Sequence, residues 1–163
     1  MPDMLVKLYE LPPLEPEHAR MEEMGISIRP ALVGEKRLVR SFVRANFSPG
    51  WEDETDVAMA RMPVACHIAV QDGKILGFAC WDSVARGFFG PMGVLPETRG
   101  KGVGRALLLS CLHAMRAYGY GYAIIGWVGP AAFYEKCCGA HVINSSEPGV
   151  YRGMLREPGQ RAQ

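Results

Sequence analysis

The sequence predicts an α/β domain of the mixed α+β kind, a mostly antiparallel sheet with flanking helices. Three observations carry this expectation. Strand-like and helix-like runs succeed one another along the chain, two strand-like runs are joined by a tight Asp-Gly turn, and a turn rich in glycine and basic residues joins another such run to the longest amphipathic stretch.

Taken in order, Leu5 to Tyr9 reads as a short strand that Leu-Pro-Pro-Leu breaks, and Glu15 to Met24 has helical composition ending at Gly25. Ile26 to Arg29 reads as a strand stopped by Pro30. Glu35 to Ala45 carries Leu38, Val39, Phe42 and Val43 at helical spacing, so this helix should lie on a sheet. Phe47 to Arg61 sets Trp51 beside Glu52, Asp53, Glu54 and Asp56, which suits either an acidic loop with a short helix at a substrate mouth or a solvated connector. Val64 to Val70 and Lys74 to Asp82 form a hairpin through Gln71-Asp72-Gly73. Gly87 to Leu95 is a strand whose Gly90, Pro91 and Gly93 ask for a bulge or a break in pairing.

Val103 to Tyr118 is the best-defined helix, with Val103, Ala106, Leu107, Cys111 and Ala114 on one apolar face, further leucines widening it, and Gly119 at its end. Tyr122 to Val128 is apolar enough for a strand covered on both faces. Pro130 suits the first turn of a short helix ending before Gly139, and Ala140 to Ile143 and Val150 to Leu155 are the runs that close the sheet. The domain reading is an N-terminal extension over 1–25, a main domain over 26–156 and a disordered tail over 157–163.

Eighteen Lys and Arg oppose 17 Asp and Glu, a net charge of +1, which leaves no electrostatic footprint for nucleic acid or an anionic membrane. Five cysteines without metal-ligand spacing, mostly in apolar runs, argue for reduced thiols and a cytoplasmic protein. Neither a signal-like start nor a long apolar run is present.

The charge that matters is local. Gly100, Gly102 and Gly104 let the backbone aim successive N–H groups into one concavity, the following helix adds its positive end, and Arg99, Lys101 and Arg105 surround the same point. Such a turn suits a phosphate ester. A Walker loop is excluded, because Leu95 stands where its first Gly belongs and Gly102 where Ser or Thr should be; a dinucleotide fingerprint fits poorly, because the glycines run 100, 102, 104.

Arg99-Gly100-Lys101-Gly102-Val103-Gly104 resembles the acetyl-CoA loop of the GNAT superfamily of N-acetyltransferases, [QR]-x-x-G-x-[GA], and the strand before it, helix after it and later tyrosine fit the same family. The resemblance runs from about Ile26 to Tyr151. It implies the acyl-CoA N-acyltransferase fold with splayed central strands, acetyl-CoA as co-substrate with no metal, and acyl transfer to a primary amine of a small molecule or peptide by direct attack. Met92, Gly93 and Val94 match the strand whose backbone binds the pantetheine; Arg99, Gly100, Lys101, Gly102, Val103, Gly104 and Arg105 match the diphosphate loop. Tyr134 matches the family's general acid, a role that a phenol with a pKa of ~10 can fill toward a leaving thiolate.

Two departures stand out. Trp127 fills the place of an Asn that contacts the cofactor in many relatives, and Gly87 to Leu95 lacks the Glu that often serves as base. Asp82, at the end of the hairpin strand, is the first candidate for that base, followed by Glu54 and His67. A cysteine nucleophile is disfavoured by the apolar settings of the thiols. The same departures keep a non-catalytic acyl-CoA-binding or regulatory module open as the alternative. The Leu5 to Tyr9 strand leaves two arrangements open, addition to the chain's own sheet or to a second copy in a homodimer.

Overall fold

The computed structural model describes residues 1–155. Seven strands form one sheet, β1 (Asp3–Lys7), β2 (Ser27–Pro30), β3 (Cys66–Gln71), β4 (Lys74–Trp81), β5 (Phe88–Val94), β6 (Tyr122–Ile125) and β7 (His141–Ile143), in the order β2-β3-β4-β5-β6-β1-β7. Every pairing is antiparallel except β5 with β6. Five α-helices flank it: α1 (Glu15–Glu23), α2 (Lys36–Asn46), α3 (Pro49–Met59), α4 (Val103–Tyr118) and α5 (Ala131–Cys138). Among the described residues no helix is long and apolar enough to cross a membrane.

Strand β4 shows how the layers are assigned. Successive side chains on a strand point to opposite faces. A side chain at Gly77 would meet Leu107 of α4, so the absence of one lets the helix approach; Phe78, next along, packs with Phe42, Phe47 and Trp51 of the α2–α3 layer. Helix α4 is buried from Ala106 through Leu112 because α1 covers its outer side, where His18 Nε2 and Ser110 Oγ lie 2.8 Å apart. Ser110 is thus a hydrogen-bonding partner and not merely a small packing residue.

Several sequence expectations need correction. The strand expected over Val150 to Leu155 is absent: Gly149–Tyr151 is a 3-10 turn and Leu155 is 94% exposed. The N-terminal strand adds to the chain's own sheet, one of the two arrangements left open, between β6 and β7 with Met4 and Val6 wholly buried, but it stops at Lys7, short of the expected Tyr9, before a 3-10 turn over Leu8–Glu10. Within residues 1–25, Leu8 and Met21 are buried in the same core cluster as Met4 and Val6. The segment expected as an acidic loop with a short helix is a helix of 11 residues, started by Pro49 and by the Ser48 hydroxyl accepting from the Trp51 N–H at 3.1 Å. Leu38, read as part of the apolar face of α2, is 54% exposed; Val39 and Val43 carry that face. The tail expected over 157–163 lies outside the described residues.

The position of β1 generates a test. Met4→Ala should destabilise the protein by about 2–5 kcal/mol, whereas alanine at its half-exposed ladder partner Val142 should change stability by only about 0.5 kcal/mol. Urea unfolding followed by circular dichroism reads both; equal effects would contradict an interior position for β1.

Candidate functional site

Strands β5 and β6 are paired only at Phe88 with Ile124 and Phe89 with Ile125. The reason lies in β5: between the pairs Ala79 with Met92 and Trp81 with Phe89 it holds one more residue than β4, a bulge at Gly90–Pro91. Beyond Phe89 the β6-facing edge of β5 has no strand partner among the described residues, and a cleft of about 520 Å³ opens there. Met92, Gly93 and Val94 form one side of it, Phe47 and Trp51 another, and Pro130 and Phe133 a third. Phe133 is half-buried, packed against the core on one side and lining this cleft on the other.

At the mouth the chain turns twice through left-handed backbone, Gly100 at φ 78° and Gly102 at φ 89°, conformations that favour glycine. Gly102 begins α4 with no side-chain cap, and the first-turn N–H groups of an α-helix have no intrahelical acceptor. The helix therefore presents uncapped donors and its positive end to the cleft. Gly104 is already helical and has ordinary backbone angles; its role is to leave the cleft open, not to supply a turn. Thr98, Arg99, Gly100, Gly102, Val103, Gly104 and Arg105 all line the cleft, while Lys101 is exposed beside it.

Two charged residues at this mouth escaped the sequence reading. Glu17 of α1 accepts from Arg105 Nε at 2.8 Å and also pairs with Arg20, whose Nη2 lies 3.0 Å from where a Gly102 Cβ would be. Arg105 additionally donates to the Cys137 carbonyl at 3.1 Å, so its guanidinium is held in place. The only hint in the sequence was the i,i+3 spacing of Glu17 and Arg20; their meeting with a loop some 80 residues later is tertiary.

Tyr134 lies on α5 next to Phe133, buried, with its ring edge-on to Phe89 at 6.4 Å. Burial, reinforced by Cys138 and Cys137, pushes its phenol up to about 12, so it stays protonated at neutral pH. Tyr134, whose ring lies 5.1 Å from that of the cleft residue Phe133, is not itself among the lining residues, and neither is Asp82. Asp82 sits where β4 leads into β5, at the end where β5 and β6 are still paired; its carboxylate accepts from the Gly87 N–H at 2.7 Å, the Tyr120 hydroxyl at 2.8 Å and Arg61 at 3.0 Å. The left-handed backbone of Asp82, φ 56°, and this full set of partners mark it as the organiser of the 82–87 loop.

His67 is likewise in the core, 3.4 Å from Cys111 Sγ, and burial lowers it to about 4. All five thiols are buried, which pushes Cys80 and Cys111 well above the ordinary range and removes them as nucleophiles. Of the acidic run, Glu52 is buried against Arg40 and Arg44, each at 3.0 Å, and Asp56 pairs with Lys36 and Arg40. Those two do not form an open acidic mouth. No group of three His, Cys, Asp or Glu residues able to hold a metal is found among the described residues.

Residues 36–140 match the acetyltransferase (GNAT) family. The chain belongs to that family. No curated protein matches the sequence. Among solved structures the chain is similar to a GCN5-related glucosamine N-acetyltransferase region of a fungal multi-domain GH3 β-N-acetylglucosaminidase, with TM-score 0.71 and 16% identity over 87% of this chain and 19% of that one. It is also similar to a GCN5-related N-acetyltransferase from Sphaerobacter thermophilus (TM-score 0.60, 21% identity, 87% of this chain, 48% of that one) and to another from Kribbella flavida (TM-score 0.52, 18% identity, 76% and 46%). The chain spans from about a fifth to about half of the length of these structures, and at such identities the likeness is one of fold.

The match to the GNAT family contains the loop, Trp127 and Tyr134, and leaves β1, α1 and β2 outside it. Within this GNAT chain the tightest point of the cleft is Gly93, where an added Cβ would lie 2.4 Å from the Phe47 ring. That ring is itself wedged between Trp51 and Phe78. Gly93→Ala should therefore cost about 1–3 kcal/mol by overpacking. Gly104→Ala, whose nearest contact would be an ordinary 3.6 Å to Val94, should be neutral or stabilise by about 0.5–1 kcal/mol. Denaturant midpoints of the two variants check the contrast.

Proposed function

We propose that this GNAT protein transfers the acetyl group of acetyl-CoA to a primary amine by direct attack of the amine on the thioester. The observation that carries the reading is the uncapped start of α4, set at the mouth of a cleft that runs back along the unpaired edge of β5. A diphosphate suits the first, through helix-end N–H groups and the charges of Arg99, Arg105 and Arg20. An extended amide-containing arm suits the second, because edge amides and carbonyls of Met92 to Val94 offer it strand-like hydrogen bonds.

The open strand edge and helix α5 then divide the chemistry. Backbone N–H groups of the bulged strand polarise the thioester carbonyl, where a single donor of this type contributes about 2.7–4 kcal/mol in enzymes of acyl transfer. Tyr134 protonates the departing thiolate. A phenol raised to about 12 is fully protonated at neutral pH, and a thiolate leaving the carbonyl is the kind of acceptor that draws its proton. With Asp82 committed to Gly87, Arg61 and Tyr120, the amine's proton must go elsewhere.

A thermal-shift series with acetyl-CoA tests the donor. At one hundred times the dissociation constant, linkage predicts about 2.7 kcal/mol of stabilisation, which for a domain of this size raises Tm by about 5–10 °C. Tyr134→Phe should keep that shift and lose thiol release by about tenfold or more. Absence of the shift in the parent protein overturns the reading; an unchanged rate in the variant removes Tyr134 from it.

A further inference from the structure

Building on the acetyl-transfer reading, we propose that Glu54 takes the proton from the acceptor amine, in an acceptor site walled by Trp127 and Tyr151 that admits a primary amine with an apolar body and no carboxylate beside the nitrogen.

The argument begins with the direction of α3. Its sheet-facing side carries Trp51, which meets the Phe78 ring at 6.1 Å, and Thr55, whose hydroxyl lies 3.9 Å from Cys80 Sγ. Passing from Trp51 to Thr55 thus follows β4 from Phe78 to Cys80. In the ladder Phe78 is opposite Gly93 and Trp81 opposite Phe89, so Cys80 stands level with the Gly90–Pro91 bulge. Glu54, half-buried and next to Thr55 on the same helix, lies near that level, close enough to Cys80 and Tyr151 for its charge to raise both.

The other side of the gap comes from β6. Its last pairing with β5 is at Ile125, and the next residues leave the ladder. Trp127 has φ 46°, its N–H donates to Asp3 Oδ1 at 3.1 Å, and its indole stacks on the Tyr151 ring with centroids 4.1 Å apart. The other Asp3 oxygen approaches within 2.9 Å of where a Gly149 Cβ would be, so one buried carboxylate sits under both the end of β6 and the turn that carries Tyr151. The Tyr151 hydroxyl in turn lies 2.9 Å from the Cβ position of Gly126, just past the last pairing of β6 with β5. Trp127, which stands where many relatives have an Asn, is therefore held at the end of β6 against Tyr151.

Charge completes the case. Glu52 and Asp56 of the same helix are paired with arginines and lysine, whereas Glu54 has no ion-pair partner among the described residues. Burial, with Asp53 adding, raises its carboxyl to about 6, so it is ionised at neutral pH and a stronger base than an ordinary carboxylate. The titratable groups facing it are Asp53 on its own helix, Cys80 on β4 and Tyr151 on the terminal turn; Cys80 and Tyr151 are pushed upward and stay neutral. An unpaired carboxylate beside two stacked rings favours an ammonium carried on an apolar body and repels a second carboxylate.

The protons balance as follows. Glu54 takes one from the ammonium and passes it to solvent; the free amine attacks the thioester carbonyl and forms the C–N bond. The second nitrogen proton leaves by the same carboxylate as the C–S bond breaks, and Tyr134 gives its proton to sulfur and regains one from water. The products are an amide, a thiol and one proton released.

Thiol release from acetyl-CoA with 2-phenylethylamine, compared with phenylalanine, tests the proposal. The parent should favour 2-phenylethylamine at least tenfold, with kcat/KM rising to a plateau above pH about 6. Glu54→Gln should lose about a hundredfold at pH 7 together with that rising limb, while keeping the acetyl-CoA thermal shift. Because a carboxyl raised in the folded state contributes stability at low pH that is lost as pH rises through about 6, this variant should be no less stable than the parent at pH 8. Trp127→Ala should raise KM for 2-phenylethylamine at least fivefold with little change in kcat. Retention of activity in Glu54→Gln, survival of its pH limb, equal use of phenylalanine, or no release with 2-phenylethylamine despite the thermal shift overturns the proposal. No thermal shift with acetyl-CoA in the parent overturns the donor reading, and this inference with it.

Discussion

The parting of β5 from β6 is the constraint on which the rest depends. Two parallel strands in the middle of a sheet normally stay paired along their length, because unpaired backbone donors and acceptors there are costly. Here they hold for two residue pairs and then separate, since the extra residue at Gly90–Pro91 turns β5 out of register and Gly126–Trp127 leads β6 away. The sheet tolerates a central opening because each half is secured on its outer side, β5 by β4 and β6 by β1. The cleft, the exposed edge of Met92 to Val94 and the placement of the α4 terminus at the cleft mouth all follow from that separation.

The partly or wholly buried carboxylates fall into two groups with different physics. Glu17, Glu52 and Asp82 are buried and each is matched by arginine, because an ionised carboxylate taken out of water needs partners. These three act as joints: Glu17 ties α1 to the start of α4, Glu52 ties α3 to α2, and Asp82 shapes the loop into β5. Glu54 is half-buried with no such match, and its raised pKa is the electrostatic consequence. The run Glu52-Asp53-Glu54 does not by itself separate Glu52 from Glu54, since the distinction depends on which arginines come within reach.

Features with a local cause were legible in the residues. The hairpin through Asp72-Gly73, the end of α4 at Gly119 with φ 116° and the end of α5 at Gly139 with φ 65° follow from turn chemistry confined to a few neighbours. So does the loop, whose Gly100 and Gly102 are needed for backbone that other residues adopt poorly. The start of α3 has a local cause too, since Ser48-Pro49 is a helix start signal. What could not be read were contacts between distant segments: β1 inserted beside β6, Arg20 set against Gly102, and Asp82 committed to Arg61 and Tyr120.

By itself the sequence determined a mixed sheet-and-helix domain, the anion-suited turn between β5 and α4, and the family to which these belong, because glycine placement and apolar spacing act over short range. The tertiary structure alone decided that the N-terminal strand joins the sheet, that Asp82 is held by Arg61, Gly87 and Tyr120 while His67 lies in the core, and that Trp127 stacks on Tyr151. The physical reason is that burial and ion pairing depend on which segments come to lie together, and residues 3, 54, 127 and 151 have no neighbourhood until the sheet has formed.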